Sequence, residues 1–204
     1  MTFRLKVMQS FDLSFDYRCP FAKNLHLHVI EALRAGADFE VNFVPWSLSQ
    51  GSRGDGPDVW NDPAYDGDLL SLAAAVSVRD QQNEYFLDAH EALFRARHDR
   101  AIRLVTLDEI SNVLAPLGVD MVQVAVDVAS RRPHEVIAAS HKEFDRFEAF
   151  GVPTFVVNDD ATFVRYMREP GDDPAQSVEL ITALLALMTN RGDLNEFKHT
   201  QLPR

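Results

Sequence analysis

The spacing of apolar residues changes along this 204-residue sequence, and the order of these changes is the feature that most constrains its fold. Apolar and polar residues alternate over residues 11–17, as they do in a half-buried β-strand, and again over residues 38–48. Between these segments, apolar residues recur every four positions from Phe21 to Leu33, which predicts an amphipathic helix that Gly36 ends. The chain therefore begins with a predicted strand, helix and strand.

The middle of the chain is predicted to be helical. Residues 50–68 are rich in glycine, aspartate and proline and are interpreted as a long irregular loop. From there to about residue 149, apolar stripes predict about five helices, one of which begins with a capping box formed by Thr106 and Glu109. This helical block interrupts the strand pattern.

Strands return in the last third of the sequence. Residues 151–158 and 161–167 are predicted to form a hairpin with a turn at Asp159–Asp160, and a last helix is predicted after Asp173–Pro174. The element order is thus β-α-β, a helical block, and β-β-α. Without the block, this order is the thioredoxin topology, so the predicted fold class is α/β, a thioredoxin-like fold with a large all-helical insertion.

The same pattern divides the chain into a discontinuous domain and an insertion. Residues 1–50 and 145–190 are predicted to form the thioredoxin-like domain, residues 51–144 the helical insertion domain, and residues 191–204 an irregular C-terminal tail. The active cleft is expected between the two domains, where sites for small ligands are common.

Composition and charge exclude several functions. The net charge of −11 disfavours nucleic acid and anionic membranes as partners. No stretch approaches the roughly 20 apolar residues of a membrane span, and polar residues interrupt the N-terminal segment where a secretory signal needs a continuous apolar run. The one cysteine allows no intramolecular disulfide. Together these features predict a cytoplasmic protein.

That one cysteine, Cys19, lies in the segment DYRCPFAKN at the predicted start of the first helix, where Pro20 fits the first turn. Unpaired N–H groups at a helix start stabilise a thiolate, which is the nucleophilic form of cysteine. Cys19 is therefore expected to be more acidic than an ordinary cysteine unless apolar burial opposes this effect. The alternative is that Cys19 is a small buried residue without reactivity.

Two segments together resemble the DsbA-like thioredoxin family. DYRCPFAKNL is similar to that family's Cys-Pro-x-Cys segment and FGVPTFVVN to its Gly-Val-Pro-Thr-Phe loop, with a similar helical insertion between them. The resemblance extends to a cytosolic branch with FrnE-like oxidoreductases, kappa-class glutathione transferases and 2-hydroxychromene-2-carboxylate isomerases. It implies that Cys19 is catalytic and that Pro20 and Phe21 shape the approach to it. It also implies that Pro153 is cis and that the backbone of Val152 binds substrate.

Ala22 is the departure from the family, because it occupies the position of the second cysteine and gives the motif CPFA. The resemblance then implies a DsbA-like thiol-disulfide oxidoreductase that acts through Cys19 alone and forms a mixed disulfide that a small thiol resolves. No tightly bound cofactor is expected. Glutathione or mycothiol is the expected co-substrate, and a thiol or disulfide in a protein or small molecule is the expected substrate.

Two alternatives to this function stay open. The first is a glutathione- or mycothiol-dependent transferase or isomerase of the kappa-class or 2-hydroxychromene-2-carboxylate isomerase type. The second is a catalytically inactive thioredoxin-fold interaction module. The sequence also leaves the oligomeric state open, a homodimer included.

Other residues of interest have ordinary structural interpretations. His26 and His28 are two positions apart and point to different faces of a helix, so no metal site is expected. His141 is interpreted as a residue at a helix seam rather than as a base. Trp46 and Trp60 either line a substrate cleft or pack as ordinary aromatic residues.

Overall fold

A computed structural model describes residues 9–53, 56–199 and 201 of the chain. Within these residues the strands are β1 (Gln9–Phe15), β2 (Phe39–Pro45), β3 (Thr154–Val157) and β4 (Asp160–Phe163). They form one sheet in the order β2-β1-β3-β4. Strand β1 pairs in parallel with β2 and antiparallel with β3, and β3 pairs antiparallel with β4.

The helices surround this sheet and fill the middle of the chain. Strand β1 leads into α1 and β2 leads into the short α2, while five longer helices separate β2 from β3 and the last helix follows β4. Their bounds are α1 (Pro20–Arg34), α2 (Leu48–Gly51), α3 (Asp66–Gln81), α4 (Phe86–His98), α5 (Leu107–Leu114), α6 (Met121–Ala129), α7 (Arg132–Asp145) and α8 (Pro174–Asn190).

Helix α1 connects the sheet to the inserted helices. It packs against α8 on one side and against α4 of the insertion on another, while α7 packs against the edge strand β2 and against α3. The predicted fold class, a thioredoxin-like fold with a helical insertion, is confirmed. The domain boundaries stay a prediction. Of the helices described, none has the length and apolar character that crossing a membrane requires.

Helix starts and ends follow the capping signals in the sequence. Thr106 and Glu109 form the predicted capping box at α5. The side chain of Asp120 accepts hydrogen bonds from two backbone N–H groups at the start of α6, and that of Asp173 accepts one, from the N–H of Ala175, at the start of α8. Gly36, with φ of +78°, follows the end of α1. These caps satisfy backbone groups that a helix leaves unpaired at its ends.

Two local predictions are wrong. The segment 50–68 is not a continuous irregular loop, because two 3₁₀ turns lie at Val59–Asn61 and Pro63–Tyr65 and α3 already begins within it. Asp62 stabilises the second turn, since its side chain accepts a hydrogen bond from the N–H of Ala64. Such side-chain caps hold short turns that apolar spacing does not reveal.

The hairpin turn lies one residue earlier than predicted. Val157 pairs with Asp160, so the turn residues are Asn158 and Asp159, which have φ of 52° and 62°. A two-residue hairpin loop with two positive φ angles matches the twist of the strands, and asparagine and aspartate tolerate this conformation better than most residues.

A chain of buried hydrogen bonds joins β1, α1 and α4 inside the core. The hydroxyl of Tyr17 lies 2.6 Å from Nδ1 of His90, Nε2 of His90 lies 2.8 Å from Nδ1 of His26, and Nε2 of His26 lies 3.1 Å from the carbonyl oxygen of Ser14. Because the carbonyl only accepts, His26 donates to it, His90 donates to His26, and Tyr17 donates to His90. The three side chains are fully buried, so both rings are neutral in this arrangement.

We predict that these buried rings make the fold sensitive to acid. Burial lowers the pKa of His26 from 6.5 to about 3, so the unfolded chain binds a proton below pH 6.5 that the folded chain excludes. His26 therefore leaves the free energy of unfolding unchanged above pH 6.5 and lowers it progressively as the pH falls from 6.5 toward 3. His26→Gln should therefore reduce the pH dependence of the unfolding free energy by about 1.4 kcal/mol per pH unit around pH 4.5 to 5.5.

The measurement is denaturant unfolding at several pH values. Leu25→Ala is the matched control, because it truncates a fully buried side chain on the same helix without removing a titrating group. An unchanged pH dependence in His26→Gln would show that the ring is protonated in the folded protein.

Candidate active site

Cys19 lies at the N-cap of α1, where its backbone is extended and its thiol faces the start of the helix. The N–H of Ala22 donates to Sγ over 3.4 Å, and the N–H of Cys19 itself donates to the carbonyl of Asp16 over 3.0 Å. Pro20 occupies the first turn as predicted, where no N–H is needed. The residue types around Cys19 thus build a helix start with the sulfur as its capping atom.

The thiol meets a loop from the far end of the sequence. Sγ of Cys19 lies 3.1 Å from the carbonyl oxygen of Val152, and the peptide bond between Val152 and Pro153 is cis. Ser14 fixes this loop to β1, because its hydroxyl accepts a hydrogen bond from the N–H of Thr154 over 2.8 Å. The structure therefore brings together Cys19, Val152 and Pro153, which the sequence analysis singled out separately.

Pro20 and Phe21 lie beside the thiol on the outer side. Pro20 is exposed and Phe21 is half-buried, so both present surface next to Cys19. The guanidinium of Arg165 lies 4.9 Å from the centre of the Phe21 ring. A cation over an aromatic face is attracted to it, so Arg165 brings positive charge close to the thiol. Sequence analysis did not find Arg165, since nothing in its local pattern marks it.

Arg18 ties the Cys19 loop to the helices that follow β2. Its guanidinium binds both carboxylate oxygens of buried Asp16, at 3.0 and 2.6 Å. The same side chain donates to the hydroxyl of Ser49 over 2.7 Å and to Asp68 over 3.0 Å. Asp16 also accepts from the N–H of Leu48 over 2.9 Å. These contacts fix the turn before Cys19 against α2 and α3.

Tyr17 ties the same turn to α4. His98 donates from Nε2 to the carbonyl oxygen of Tyr17 over 2.8 Å, while the Tyr17 hydroxyl donates to His90 as described above. Both histidines belong to α4, so one helix of the insertion contacts both the backbone and the side chain of Tyr17, two positions before Cys19. The only signal for this contact in the sequence is the placement of both histidines on one helix face.

Burial decides the acidity of the thiol. Cys19 is 8% exposed, and this burial raises its pKa above the ordinary value. The N–H groups of Ala22 and Phe21 at the helix start act in the opposite direction without offsetting the burial. The sequence analysis expected an unusually acidic thiol unless Cys19 is buried among apolar residues. Cys19 is buried, so its pKa is raised rather than lowered. The free protein therefore holds Cys19 as a thiol that donates its proton toward the carbonyl of Val152.

A cavity of about 630 Å³ lies between residues that follow β2 and residues of α7. Trp46, Trp60 and His141 line it, together with Ala149 and Phe150, which come just before the loop that contacts the thiol. Cys19 is not among the lining residues, so the thiol does not open into this cavity. Over the described ranges, no group of three or more His, Cys, Asp and Glu residues is placed to hold a metal ion.

Comparison with protein-family models identifies one match. The model described as a DSBA-like thioredoxin domain matches residues 11–181, which is most of the chain. This range contains the Cys19 segment, the helical insertion and the loop with Pro153. A comparison with curated proteins finds no match.

Solved structures with the same fold are distant in sequence. The cytosolic disulfide reductase DsbM from Pseudomonas aeruginosa is 14% identical with a TM-score of 0.61, covering 87% of this chain and 99% of that chain. DsbM with GSH gives 15% identity and a TM-score of 0.60, covering 87% and 100%. DsbA from Pseudomonas aeruginosa is 21% identical with a TM-score of 0.57, covering 96% and 91%. MdbA, a thiol-disulfide oxidoreductase from Actinomyces oris, is 19% identical with a TM-score of 0.61, covering 86% and 79%.

We predict that Cys19 reacts slowly at neutral pH and faster in alkali. Because burial raises its pKa, the alkylation rate with iodoacetamide should still increase above about pH 8.5, the pKa of an ordinary thiol. Intact mass gives the rate at each pH, and the chain has one thiol to report. The same chain unfolded in guanidinium chloride is the control and should titrate as an ordinary thiol. A rate that reaches its plateau near neutral pH would contradict the structure.

Proposed function

The chain belongs to the DSBA-like thioredoxin domain family, and from this membership we propose that it is a thiol-disulfide oxidoreductase that works through Cys19 alone. The observation that carries the proposal is the contact between Sγ of Cys19 and the carbonyl of Val152, 3.1 Å apart, beside cis Pro153. It joins the one thiol of the chain to a backbone edge that a substrate strand can pair with.

The proposed reaction has two exchange steps. In the first, the Cys19 thiolate attacks one sulfur of a disulfide R–S–S–R′, forms a Cys19–S–S–R bond and releases R′–S⁻, which takes up the proton that Cys19 lost. In the second, the thiolate of a small thiol attacks the R sulfur and releases the Cys19 thiolate. The sum converts R–S–S–R′ and one small thiol into R′–SH and a mixed disulfide of R with the small thiol, so the number of disulfides stays the same and the enzyme returns unchanged.

Val152 has two roles in this scheme. In the free protein its carbonyl oxygen accepts a hydrogen bond from the Cys19 thiol. Burial raises the pKa of Cys19, and only the protonated sulfur can make this hydrogen bond. A substrate backbone that pairs with Val152 offers an N–H to the same carbonyl. We propose that this exchange of partners frees the thiol for ionisation, while the N–H of Ala22 at the helix start stabilises the thiolate.

Ala22 explains why the second step needs an external thiol. The N–H of Ala22 lies 3.4 Å from Sγ, so its side-chain position is where a resolving cysteine would stand in a dithiol site. Glutathione or mycothiol is the proposed co-substrate, and the cytoplasm, which keeps such thiols reduced, is the proposed location. Support comes from DsbM, a fold neighbour that is a cytosolic disulfide reductase and whose structure is also known with GSH.

A second candidate is a transferase or isomerase that activates a bound small thiol. The observation that favours it is the raised pKa of Cys19, because a sulfur that stays protonated is suited to donate a hydrogen bond to a bound thiolate. In that case the substrate thiol reacts and Cys19 forms no disulfide. Serine, which also donates a hydrogen bond, would replace Cys19 without loss of the transfer reaction.

We predict that Cys19→Ser abolishes disulfide exchange. The assay follows the formation of oxidised glutathione from a peptide–glutathione mixed disulfide and reduced glutathione, and the part of the rate that depends on the protein should fall by about 100-fold or more because Cys19 is the one thiol of the chain. Disulfide exchange that continues in Cys19→Ser would reject Cys19 as the nucleophile, whereas a thiol-transfer reaction that Cys19→Ser retains would support the transferase. Absence of turnover in the unmodified protein, together with an inert thiol, would indicate the inactive interaction module.

Ala22→Cys is the matched control for the single-thiol mechanism. The unmodified protein should accumulate a mixed disulfide with oxidised glutathione, visible by intact mass, until reduced glutathione is added. Ala22→Cys should instead expel the glutathione and form an internal disulfide, since the two positions are adjacent in the first helical turn. Accumulation of the same mixed disulfide in Ala22→Cys would show that the residue at position 22 does not reach Sγ.

A further inference from the structure

Two hydrogen bonds fix the segment after β4, which carries Arg165. The N–H of Val164 donates to the carbonyl oxygen of Pro153 over 3.1 Å. The side chain of Asn24 in α1 donates to the carbonyl oxygen of Tyr166 over 3.0 Å. The residues on either side of Arg165 are therefore anchored to the two elements that form the candidate active site, the loop with the cis peptide bond and α1.

The guanidinium of Arg165 lies near two aromatic rings. Its central carbon is 4.9 Å from the centre of the Phe21 ring and 5.9 Å from the centre of the Phe163 ring. Phe21 is the second residue of α1, and Phe163 is the last residue of β4. Because a cation is attracted to an aromatic face, rings from two elements hold this charge beside the helix start that Cys19 caps.

The charge of Arg165 reaches the sulfur of Cys19. Burial raises the pKa of Cys19, and the positive charge of Arg165 acts in the opposite direction with a smaller effect. An electrostatic effect of this kind requires that the two groups lie close together. A negatively charged group on a compound that reacts at Cys19 therefore comes within range of the guanidinium.

Three basic side chains lie near the start of α1, and they differ in their partners. The guanidinium of Arg18 binds both carboxylate oxygens of Asp16. Lys23 is buried and donates to Glu169 over 2.7 Å. Arg165 is exposed, and none of the residues that the structure describes accepts a hydrogen bond from its guanidinium or forms an ion pair with it. Arg165 is thus the basic group that can bind an anion from outside.

The shape of the guanidinium indicates which anion fits. A guanidinium that stacks on a ring keeps its N–H groups in the plane of the group, where they form a fork that matches the two oxygens of a carboxylate. The net charge of −11 gives an anionic partner no long-range attraction to this protein, so such a partner depends on a local cation. Arg165 supplies that cation next to the thiol.

We propose that Arg165 binds a carboxylate of the small thiol compound that reacts at Cys19, and so determines which small thiol the protein uses. This inference rests on the proposed function, in which a small thiol resolves the mixed disulfide. Of the two co-substrates named there, glutathione carries two carboxylates, whereas mycothiol, a cysteine derivative of an amino sugar, carries none. Arg165 therefore favours glutathione or another carboxylate-bearing thiol.

The test compares two aromatic disulfides that differ in charge. Dithiobis(nitrobenzoic acid) carries a carboxylate on each ring and dithiodipyridine carries none, and the absorbance of the released thiol gives the second-order rate constant of each with Cys19. The readout is the ratio of the two constants, since a change in the acidity of Cys19 affects both reagents in the same direction. We expect Arg165→Gln to lower the ratio of anionic to uncharged reagent about fivefold, the upper range for an exposed ion pair. Arg165→Glu should lower it further, because repulsion replaces attraction.

Arg146→Gln is the matched control. The guanidinium of Arg146 also lies over a ring, 4.3 Å from the centre of Phe147, but it pairs with Glu143 and Asp159. This variant should keep the ratio of the unmodified protein. The difference between the unmodified protein and Arg165→Gln should also shrink as salt is added, since salt screens exposed charges.

Oxidised glutathione and its glycine diethyl ester extend the test to the proposed co-substrate. Intact mass follows the mixed disulfide with Cys19, the one thiol of the chain. The free acid should react about fivefold faster with the unmodified protein than with Arg165→Gln. Equal rates of the two proteins with the ester would assign the contact to the glycine carboxylate, and a difference that the ester keeps would assign it to the γ-glutamyl carboxylate.

The outcomes separate this inference from the proposed function. The same ratio of rate constants in the unmodified protein, Arg165→Gln and Arg165→Glu would overturn the role of Arg165 and leave the proposed function standing. Failure of Cys19 to react with uncharged dithiodipyridine in the folded protein would overturn the proposed function, and this inference with it, because that reaction requires nothing of Arg165.

Discussion

The contact between the thiol of Cys19 and the carbonyl of Val152 is the interaction on which the site depends. It joins residues that are 133 positions apart, and it forms because β1 pairs with β3 and places the start of α1 beside the loop before β3. Ser14 at the end of β1 hydrogen-bonds to Thr154 and holds that loop in register. The contacts of Arg18 and His98 then hold the turn just before Cys19 in place.

Two opposing effects act on the sulfur, and their balance shapes the proposed chemistry. The helix start favours a thiolate through the N–H groups of Ala22 and Phe21, whereas burial favours the neutral thiol, and burial is the larger effect in the free protein. In the proposed mechanism, a site with this balance has low reactivity until a substrate backbone takes over the hydrogen bond to Val152. The proposed source of substrate selectivity is then the pairing of backbones rather than a permanently ionised sulfur.

Much of the fold follows from local sequence patterns, and the parts that do not follow depend on distant partners. The strands, the capping of α5 and α8, and the pairing of Cys19 with the Val152 loop follow from apolar spacing, capping residues and family resemblance. Arg18 looked unremarkable because its partners Ser49 and Asp68 are 31 and 50 positions away. His98 meets Tyr17 across 81 positions. His141 was interpreted as a residue at a helix seam, and its ring stacks on that of Trp46, a contact between distant positions that the local pattern does not show.

The long separation between Cys19 and Val152 also bears on how the protein is made. The cysteine leaves the ribosome 133 residues before the carbonyl that contacts it, which at typical translation rates of 5–20 residues per second is roughly 7 to 27 s. During that time Asp68, His90 and His98, which anchor the Cys19 turn, also emerge one after another. The nascent chain therefore carries an unshielded thiol through most of its synthesis, and a reducing environment at the ribosome protects it from premature oxidation.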